Sequence, residues 1–358
     1  MPDMLNFFDN YTMMAITREI VPETSFFVDR YFPTGEGDIF AADKVLTEYQ
    51  KGDRRMACFV APRIGDIPVE RQGYAIHEYQ PAFIAPSRVL TADDLSKRGF
   101  GEAIFPGSTP AERAARLQLE DQSFLDRRIR RREEWMAVET MIHNACTMQE
   151  YIDAQTLGDV RYVQFYDGTS EHTYTVSASH KWDTVNGDII ADVRAMCRML
   201  TRRGLPAADL VLGTAAADAI LANEELRERI KTFSGINAGQ ITQTAYPGVT
   251  NMGRLNFNGH NLELFSVDES YEADDGTDTP YFPSTSAMVT APGCGHLMYG
   301  QITQIDYGKT DFKSYAAKRV PKLVVDQEHD IRKLRLGARP LAAPRNYCPY
   351  IYAANVCG

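Results

Sequence analysis

Cys294 and His296 come closer than other residues of this 358-residue chain to a catalytic pair. A thiol beside an imidazole can act as a nucleophile with its general base. The two residues stand near Gly293 and Gly295, which is typical of a loop. Two positions apart on one loop is weak evidence for a pair, so the sequence does not assign catalysis to them.

Known catalytic and nucleotide-binding motifs are missing from the sequence. It contains no Gly-x-Ser-x-Gly elbow, His-Glu-x-x-His pair or dinucleotide-type glycine cluster. The nearest approach to a phosphate loop runs from Gly248 to Gly253. Arg254 and Leu255 follow it, where that mechanism requires lysine and then serine or threonine. Pro247 precedes it instead of a clear strand, so we interpret the segment as a turn.

The possible metal ligands are scattered. Residues 268–278 include six acidic side chains, but their spacing does not match a calcium loop, which favours a solvated turn. The six cysteines form no Cys-x-x-Cys pair, and reduced thiols are predicted. The seven histidines show no ligand spacing except at His172 and His180, which fall on opposite sides of a strand and loop. The sequence therefore predicts no catalytic residue, no cofactor-binding residue and no metal ligand.

The most prominent predicted element is a helix over residues 109–148. Thr109 is a predicted N-cap, Pro110 takes the first helical position, and Glu112 completes a capping box. No glycine and no further proline interrupts the segment. At about 1.5 Å per residue, the helix would span roughly 55 to 60 Å.

The faces of this helix differ between its ends and its middle. Helical spacing predicts a burial stripe at both ends, formed by Leu117, Phe124, Trp135, Ile142 and Cys146. In the middle, five arginines within residues 127–134 (RRIRRREE) predict no burial stripe. The run has three interpretations: a nucleic-acid grip, a solvated face, or pairing with carboxylates of a neighbouring subunit. The acidic chain and the lack of interleaved aromatics disfavour the first.

Composition indicates a soluble globular chain large enough for two domains, with 44% hydrophobic and 24% charged residues and a net charge of −10. No apolar stretch is long enough to cross a bilayer, and residues 1–4 show no start of a signal peptide. We therefore expect synthesis in the cytoplasm and no membrane partner.

Upstream of the long helix, the sequence predicts an arm and a hairpin. The arm ends in an aromatic cluster through which it is expected to dock: Phe26, Phe27, Tyr31 and Phe32. Strand-like runs follow at residues 44–49, 56–60 and 74–89. We expect these runs to form a hairpin of two strands around a long turn. A ribbon of two strands is unstable alone, so something else must cover it.

Downstream of the long helix, the sequence predicts a hairpin and then a mixed domain. The hairpin pairs residues 162–166 with 172–177 across Asp167-Gly168. A helix capped by Asn186 runs over residues 187–203 and precedes a buried strand at 210–213. The remaining predicted elements are helices at 215–222 and 224–231, strands at 261–267 and 287–290, and a strand-rich tail over 320–356.

This order of elements, and several short sequences within it, resemble the lambda-type major capsid protein E family of tailed bacteriophages. The matching segments are residues 26–32 (FFVDRYF), 56–62 (MACFVAP), 127–134, 282–283 with 288–289, 319–322 (RVPK) and 338–341 (ARPL). Each segment is short, and their shared order over some 300 residues carries the resemblance. It implies an α+β chain with the HK97-like capsid fold.

The resemblance also implies a division of the chain. Residues 1–45 would be the N-terminal arm and 46–107 the extended hairpin, or E-loop, lying across a neighbouring subunit. Residues 108–187 would form the spine helix and first part of the peripheral domain, 188–305 the axial domain, and 306–358 the return strands of the peripheral domain.

On this resemblance, the chain is expected to be a non-enzymatic major capsid protein. Its copies would form pentamers and hexamers of an icosahedral virion shell, assembled in the host cytoplasm. A cement protein, a portal and a scaffolding protein are the implied partners, and packaged DNA would be held only by non-specific contact. The alternatives are an encapsulin-like compartment of the same fold and, less favoured, a cytoplasmic α/β enzyme.

Overall fold

The computed structural model describes residues 13–14, 17, 24–49, 75–91, 94, 110–152, 156–168, 170–234, 242–243, 246–273 and 276–358. Several predictions lie outside these ranges, including the strand at 56–60, the Thr109 cap and the environment of Cys58. The main helices are α1 (Phe26–Tyr31), α2 (Pro110–His143), α3 (Ile189–Arg202), α4 (Thr214–Ala222) and α5 (Glu224–Ser234).

The strands of the described residues are numbered in chain order. The first ten are β1 (Val45–Tyr49), β2 (Ala75–Tyr79), β3 (Ser87–Thr91), β4 (Ala145–Tyr151), β5 (Leu157–Gln164), β6 (Thr173–Thr175), β7 (Asp209–Gly213), β8 (Thr242–Gln243), β9 (Val249–Phe257) and β10 (His260–Val267). The next ten are β11 (Ser270–Glu272), β12 (Asp278–Pro280), β13 (Ala287–Thr290), β14 (Gly295–Tyr299), β15 (Ile302–Ile305), β16 (Phe312–Tyr315), β17 (Val320–Asp326), β18 (Ile331–Gly337), β19 (Pro340–Pro344) and β20 (Ile351–Ala354).

A seven-stranded sheet has the order β6-β20-β13-β7-β10-β9-β8. The pairs β7/β10 and β6/β20 are parallel, and the other neighbours are antiparallel. The central strand β7 is buried along its whole length. Its side chains alternate between two cores, because Leu210 and Leu212 pack in the cluster with α3 while Val211 packs in the cluster with α1.

A second region is built on α2. The three-stranded sheet β17-β18-β3 meets this helix through an apolar cluster that includes Leu125, Ile129, Leu323 and Leu334. The β14/β19 pair lies further along the helix, where the Thr140 hydroxyl donates to a β19 carbonyl at 3.2 Å. Strands thus pack against the long helix along much of its length.

The long helix is real but shorter than predicted. It ends at His143, five residues before the predicted end, because Asn144 adopts a left-handed conformation with φ of 53°. Strand β4 starts at the next residue, so Cys146 is buried in a strand and does not belong to a helical stripe.

The downstream hairpin was predicted wrongly. Strand β5 pairs with β4, while β6 joins β20 in the large sheet. The turn residues do form a tight 3-10 turn at Tyr166–Gly168, but the chain leaves it in another direction. Local turn chemistry therefore located the bend without identifying the strands that pair.

Other predicted elements needed smaller corrections. The cap of α3 is Asp188, whose carboxylate accepts from the Ala191 N–H at 2.9 Å, and not Asn186. The run at 74–89 is two strands, because Pro81 and Pro86 lack the N–H that a continuous ladder needs. Gly248 is in a turn with φ of 71° as predicted.

Gly253, in contrast, lies inside β9 at a β-bulge opposite β10, and so outside the predicted turn. The strands predicted at residues 44–49, 210–213, 261–267 and 287–290 and the helices at 215–222 and 224–231 are confirmed within one to three residues.

Candidate assembly surface

The middle of α2 has a buried side that its apolar residues do not predict. Spaced by three and four residues, Asp126, Ile129, Glu133, Met136 and Thr140 lie on one face, and each is at most 7% exposed. The prediction that the arginine-rich middle lacks a burial stripe is therefore wrong. The apolar residues alone do not reveal this stripe, because two of its members are carboxylates. Their seven-residue spacing was the available signal.

Those two carboxylates bind one arginine from the RVPK segment. The Arg319 guanidinium donates to Asp126 at 2.6 Å and to both Glu133 oxygens at 2.7 and 2.9 Å. The Tyr299 hydroxyl donates to the same Glu133 carboxylate at 2.9 Å. This network joins α2 to β14 and to the start of β17.

Burial sets the electrostatics of the network. Burial disfavours the charged form of Arg319, but the Glu133 carboxylate outweighs it and holds the Arg319 pKa well above its usual value. Burial, and then the Glu133 charge, raise the pKa of Tyr299. The group is therefore an ion pair with a neutral phenol donor.

The arm helix α1 is capped by a residue of α2. Its N-cap, Ser25, makes no side-chain capping bond. Instead, the two oxygens of Glu134 accept from the N–H groups of Phe27 at 2.7 Å and Val28 at 2.9 Å. Burial raises the Glu134 pKa to about 8, while these two donors act in the opposite direction.

Arg130 and Arg30 attach the arm on two further sides. Arg130, 13% exposed, pairs with Asp29 and donates to the Ser25 hydroxyl at 3.1 Å. Arg30 forms a two-point contact with Asp209, at 2.6 and 2.9 Å, where β7 begins. The four aromatic residues of the predicted docking cluster are all buried. The arm therefore ties α2 to the large sheet within one chain.

Cys294 and His296, to which the sequence assigns no catalysis, face different partners. The Cys294 thiol lies 3.9 Å from the Tyr31 carbonyl, and burial raises its pKa to about 12. The His296 ring contacts Asp38 at 3.0 Å, and burial lowers its pKa. Neither environment favours a thiolate next to a free base.

The described residues hold no cluster of side chains with the spacing of a metal site. None of the helices described is long and apolar enough to span a membrane. Cys146, Cys197, Cys294, Cys348 and Cys357 are buried free thiols, in line with the prediction for these five.

The outer side of α2 remains exposed. Arg127, Arg128, Arg131 and Arg132 face solvent, with the Arg128 guanidinium 5.0 Å from the Phe124 ring centre and that of Arg132 5.3 Å from the Trp135 ring centre. The arginine run therefore divides into an inward member, Arg130, and an outward basic face.

Several ribbons of two strands also lie at the surface. They are β1/β2, β4/β5, β11/β12 and β15/β16. Ribbons of two strands are marginally stable alone in water. Large apolar side chains are exposed on three of them, with Leu46 at 46%, Tyr162 at 59% and Phe312 at 77%. Such surfaces are suited to contact with another protein.

Comparisons with known proteins identify a family through one family model and the fold through solved structures. A family model described as phage major capsid protein E matches residues 9–353. A prophage protein of Escherichia coli CFT073, assigned as a capsid protein, aligns with a TM-score of 0.66 and 15% identity over 96% of this chain and 98% of its own. A phage-related protein of Bordetella bronchiseptica RB50 aligns with a TM-score of 0.52 and 11% identity over 96% of each chain. No curated protein matches the chain.

Proposed function

Because the chain belongs to the phage major capsid protein E family, we propose that its copies form the pentamers and hexamers of an icosahedral shell enclosing packaged double-stranded DNA. The family match over residues 9–353 is the observation that carries this proposal.

Membership of the family has direct consequences. The chain is a major capsid protein, a structural component of the virion capsid that assembles with copies of itself, and not an enzyme. Its α+β fold is the HK97-like fold, as predicted.

The thin ribbons and the basic face of α2 support assembly through many neighbours. In a monomer the outer faces of these ribbons lie in water, and ribbons of two strands gain stability from further surfaces that cover them. Interfaces with several copies would cover them and would make stability depend on assembly. In this arrangement, the exposed Arg127 and Arg128 pair with carboxylates of a neighbouring subunit.

The division into arm (1–45), E-loop (46–107), spine and first peripheral part (108–187), axial domain (188–305) and peripheral return strands (306–358) belongs to this proposal. The seven-stranded sheet supports an axial domain centred on β7, β9, β10 and β13. Strands β6 and β20 also lie in this sheet, so residues 173–175 and 351–354 would be grouped with the axial domain.

The proposed partners follow from the shell. A portal, a scaffolding protein and a cement protein would act on it during assembly in the host cytoplasm. With a net charge of −10, a subunit does not attract DNA over its whole surface, so packaged DNA would be confined with only non-specific contact.

Negative-stain electron microscopy of the purified protein tests the proposal. Closed particles tens of nanometres across are expected. A discrete monomer, dimer or tetramer at every concentration and salt would contradict it. Specific binding of a cargo peptide inside the particles would favour the encapsulin-like alternative, which family membership disfavours.

A further inference from the structure

The β4/β5 hairpin presents one apolar face to solvent. Its register places Thr147 opposite Tyr162, Gln149 opposite Val160 and Tyr151 opposite Leu157. Side chains of directly opposed residues project from the same face of an antiparallel pair. All six residues therefore share a surface, which we call the outer hairpin face.

A β-bulge completes this face. Between the pairs Gln149/Val160 and Tyr151/Leu157, β4 advances by two residues and β5 by three. Without the extra residue, Leu157 would point to the opposite side, since strand side chains alternate. That opposite side is the core side, where Cys146 and Val163 are at most 6% exposed.

The exposed apolar area of the outer hairpin face is typical of a functional patch but smaller than one side of a stable interface. Leu157 is 60% exposed, Val160 57%, Tyr162 59% and Tyr151 49%. Together they offer on the order of 500 Å², the size of a functional surface patch. A stable pair of proteins buries about 800 Å² per partner. The face therefore suits one of several simultaneous contacts.

The lack of charge on the outer hairpin face favours a second copy of the chain as its occupant. The outer hairpin face itself carries no ionised side chain. Strand alternation places Glu150 and Arg161 on the opposite side, where they pair with each other, and Asp159 lies in the bulge. Copies with a net charge of −10 repel one another. This electrostatic repulsion is smallest where the contacting surfaces carry no charge.

We propose that the outer hairpin face packs against a second copy of this chain as one of the contacts that close the shell. This proposal rests on the proposed capsid function and adds to it the location of an interface. Its occupant is another capsid subunit and not a separate cement protein.

The test compares the double variant V160K/Y162K with V185K, a control at a fully exposed residue outside the hairpin. Both purified subunits should keep the thermal midpoint of the wild type within a few degrees, because the substituted side chains are exposed. In sedimentation velocity, V160K/Y162K should give at least about tenfold fewer closed particles, since charges would be buried without partners. V185K should assemble like the wild type.

Hydroxyl-radical footprinting of the wild type adds a measurement that needs no variant. Oxidation of Tyr162 should fall at least about fivefold between free subunits and particles, as expected for a contact that excludes water. If V160K/Y162K fails to fold, this measurement decides alone.

The outcomes separate the two proposals. A wild type without particles overturns both. Wild-type particles with undiminished assembly of V160K/Y162K, or with unchanged Tyr162 oxidation, overturn only the interface. Normal V160K/Y162K particles that fail to bind a cement protein would also overturn it, because the face would then belong to that partner.

Discussion

Arg319 and Glu133, 186 residues apart in sequence, form a two-point ion pair with Nη1–Oε1 and Nη2–Oε2 distances of 2.7 and 2.9 Å. The Glu133 side chain is fully buried and that of Arg319 is 11% exposed. A buried two-point pair of this kind fixes the geometry between the long helix and the start of β17.

Loss of one partner should destabilise the subunit strongly. We expect E133Q to lower the free energy of unfolding by about 3 to 5 kcal/mol, because Arg319 would keep a buried charge with less compensation. Urea denaturation of unassembled subunits measures this. The double variant E133L/R319M should lose less than the sum of E133L and R319M. Simple additivity would mean that the pair is not coupled.

Glu134 should make stability depend on pH. Its pKa rises from 4.5 to about 8 on folding, so the folded subunit holds a proton that the unfolded chain releases. The resulting stabilisation is complete below about pH 4.5 and is lost as the pH rises through 8. The difference in unfolding free energy between wild type and E134Q should fall by up to about 1.4 kcal/mol per pH unit across this window. A difference that does not change with pH would show that Glu134 stays ionised.

The corrected face of the long helix predicts where truncation is costly. I129A removes a fully buried side chain and should cost about 2 to 5 kcal/mol. L119A, at a residue 40% exposed on the same helix, should cost less than about 1 kcal/mol. Thermal denaturation of both variants provides the comparison. Equal losses would contradict the assigned faces.

The outward basic face should act in assembly and not in folding. R127E/R128E should give a soluble subunit with near-native circular dichroism and a reduced yield of particles, because the proposed carboxylate partners would repel it. R127K/R128K keeps the charge and should retain most assembly. Particle yield by sedimentation at low and moderate salt measures the effect. Full assembly of the glutamate variant would show that these arginines do not contribute to the interface.

Local signals in the sequence predicted individual elements well. The alternating helix and strand pattern located β7, α4 and α5 within three residues, since burial and capping act over short distances. The aromatic cluster of the arm predicted docking, which the structure confirms.

Long-range partners could not be predicted in the same way. Nothing near residues 173–175 identifies β20 as their partner, because the two strands lie more than 170 positions apart. The carboxylates on the buried face of α2 resemble solvated ones until Arg319 is placed beside them. Glu134 likewise gains its capping role only when α1 packs against it.

The position of β20 has a consequence for biosynthesis. This strand lies inside the large sheet, between β6 and β13, although both neighbours are translated before it. Until residues 351–354 leave the ribosome, β6 and β13 each have an open edge available for pairing with another nascent chain. Translation therefore sets the earliest moment at which a subunit can complete its large sheet. Before that moment, nascent chains on polysomes expose the open edges of β6 and β13, and chaperone protection would be of most use.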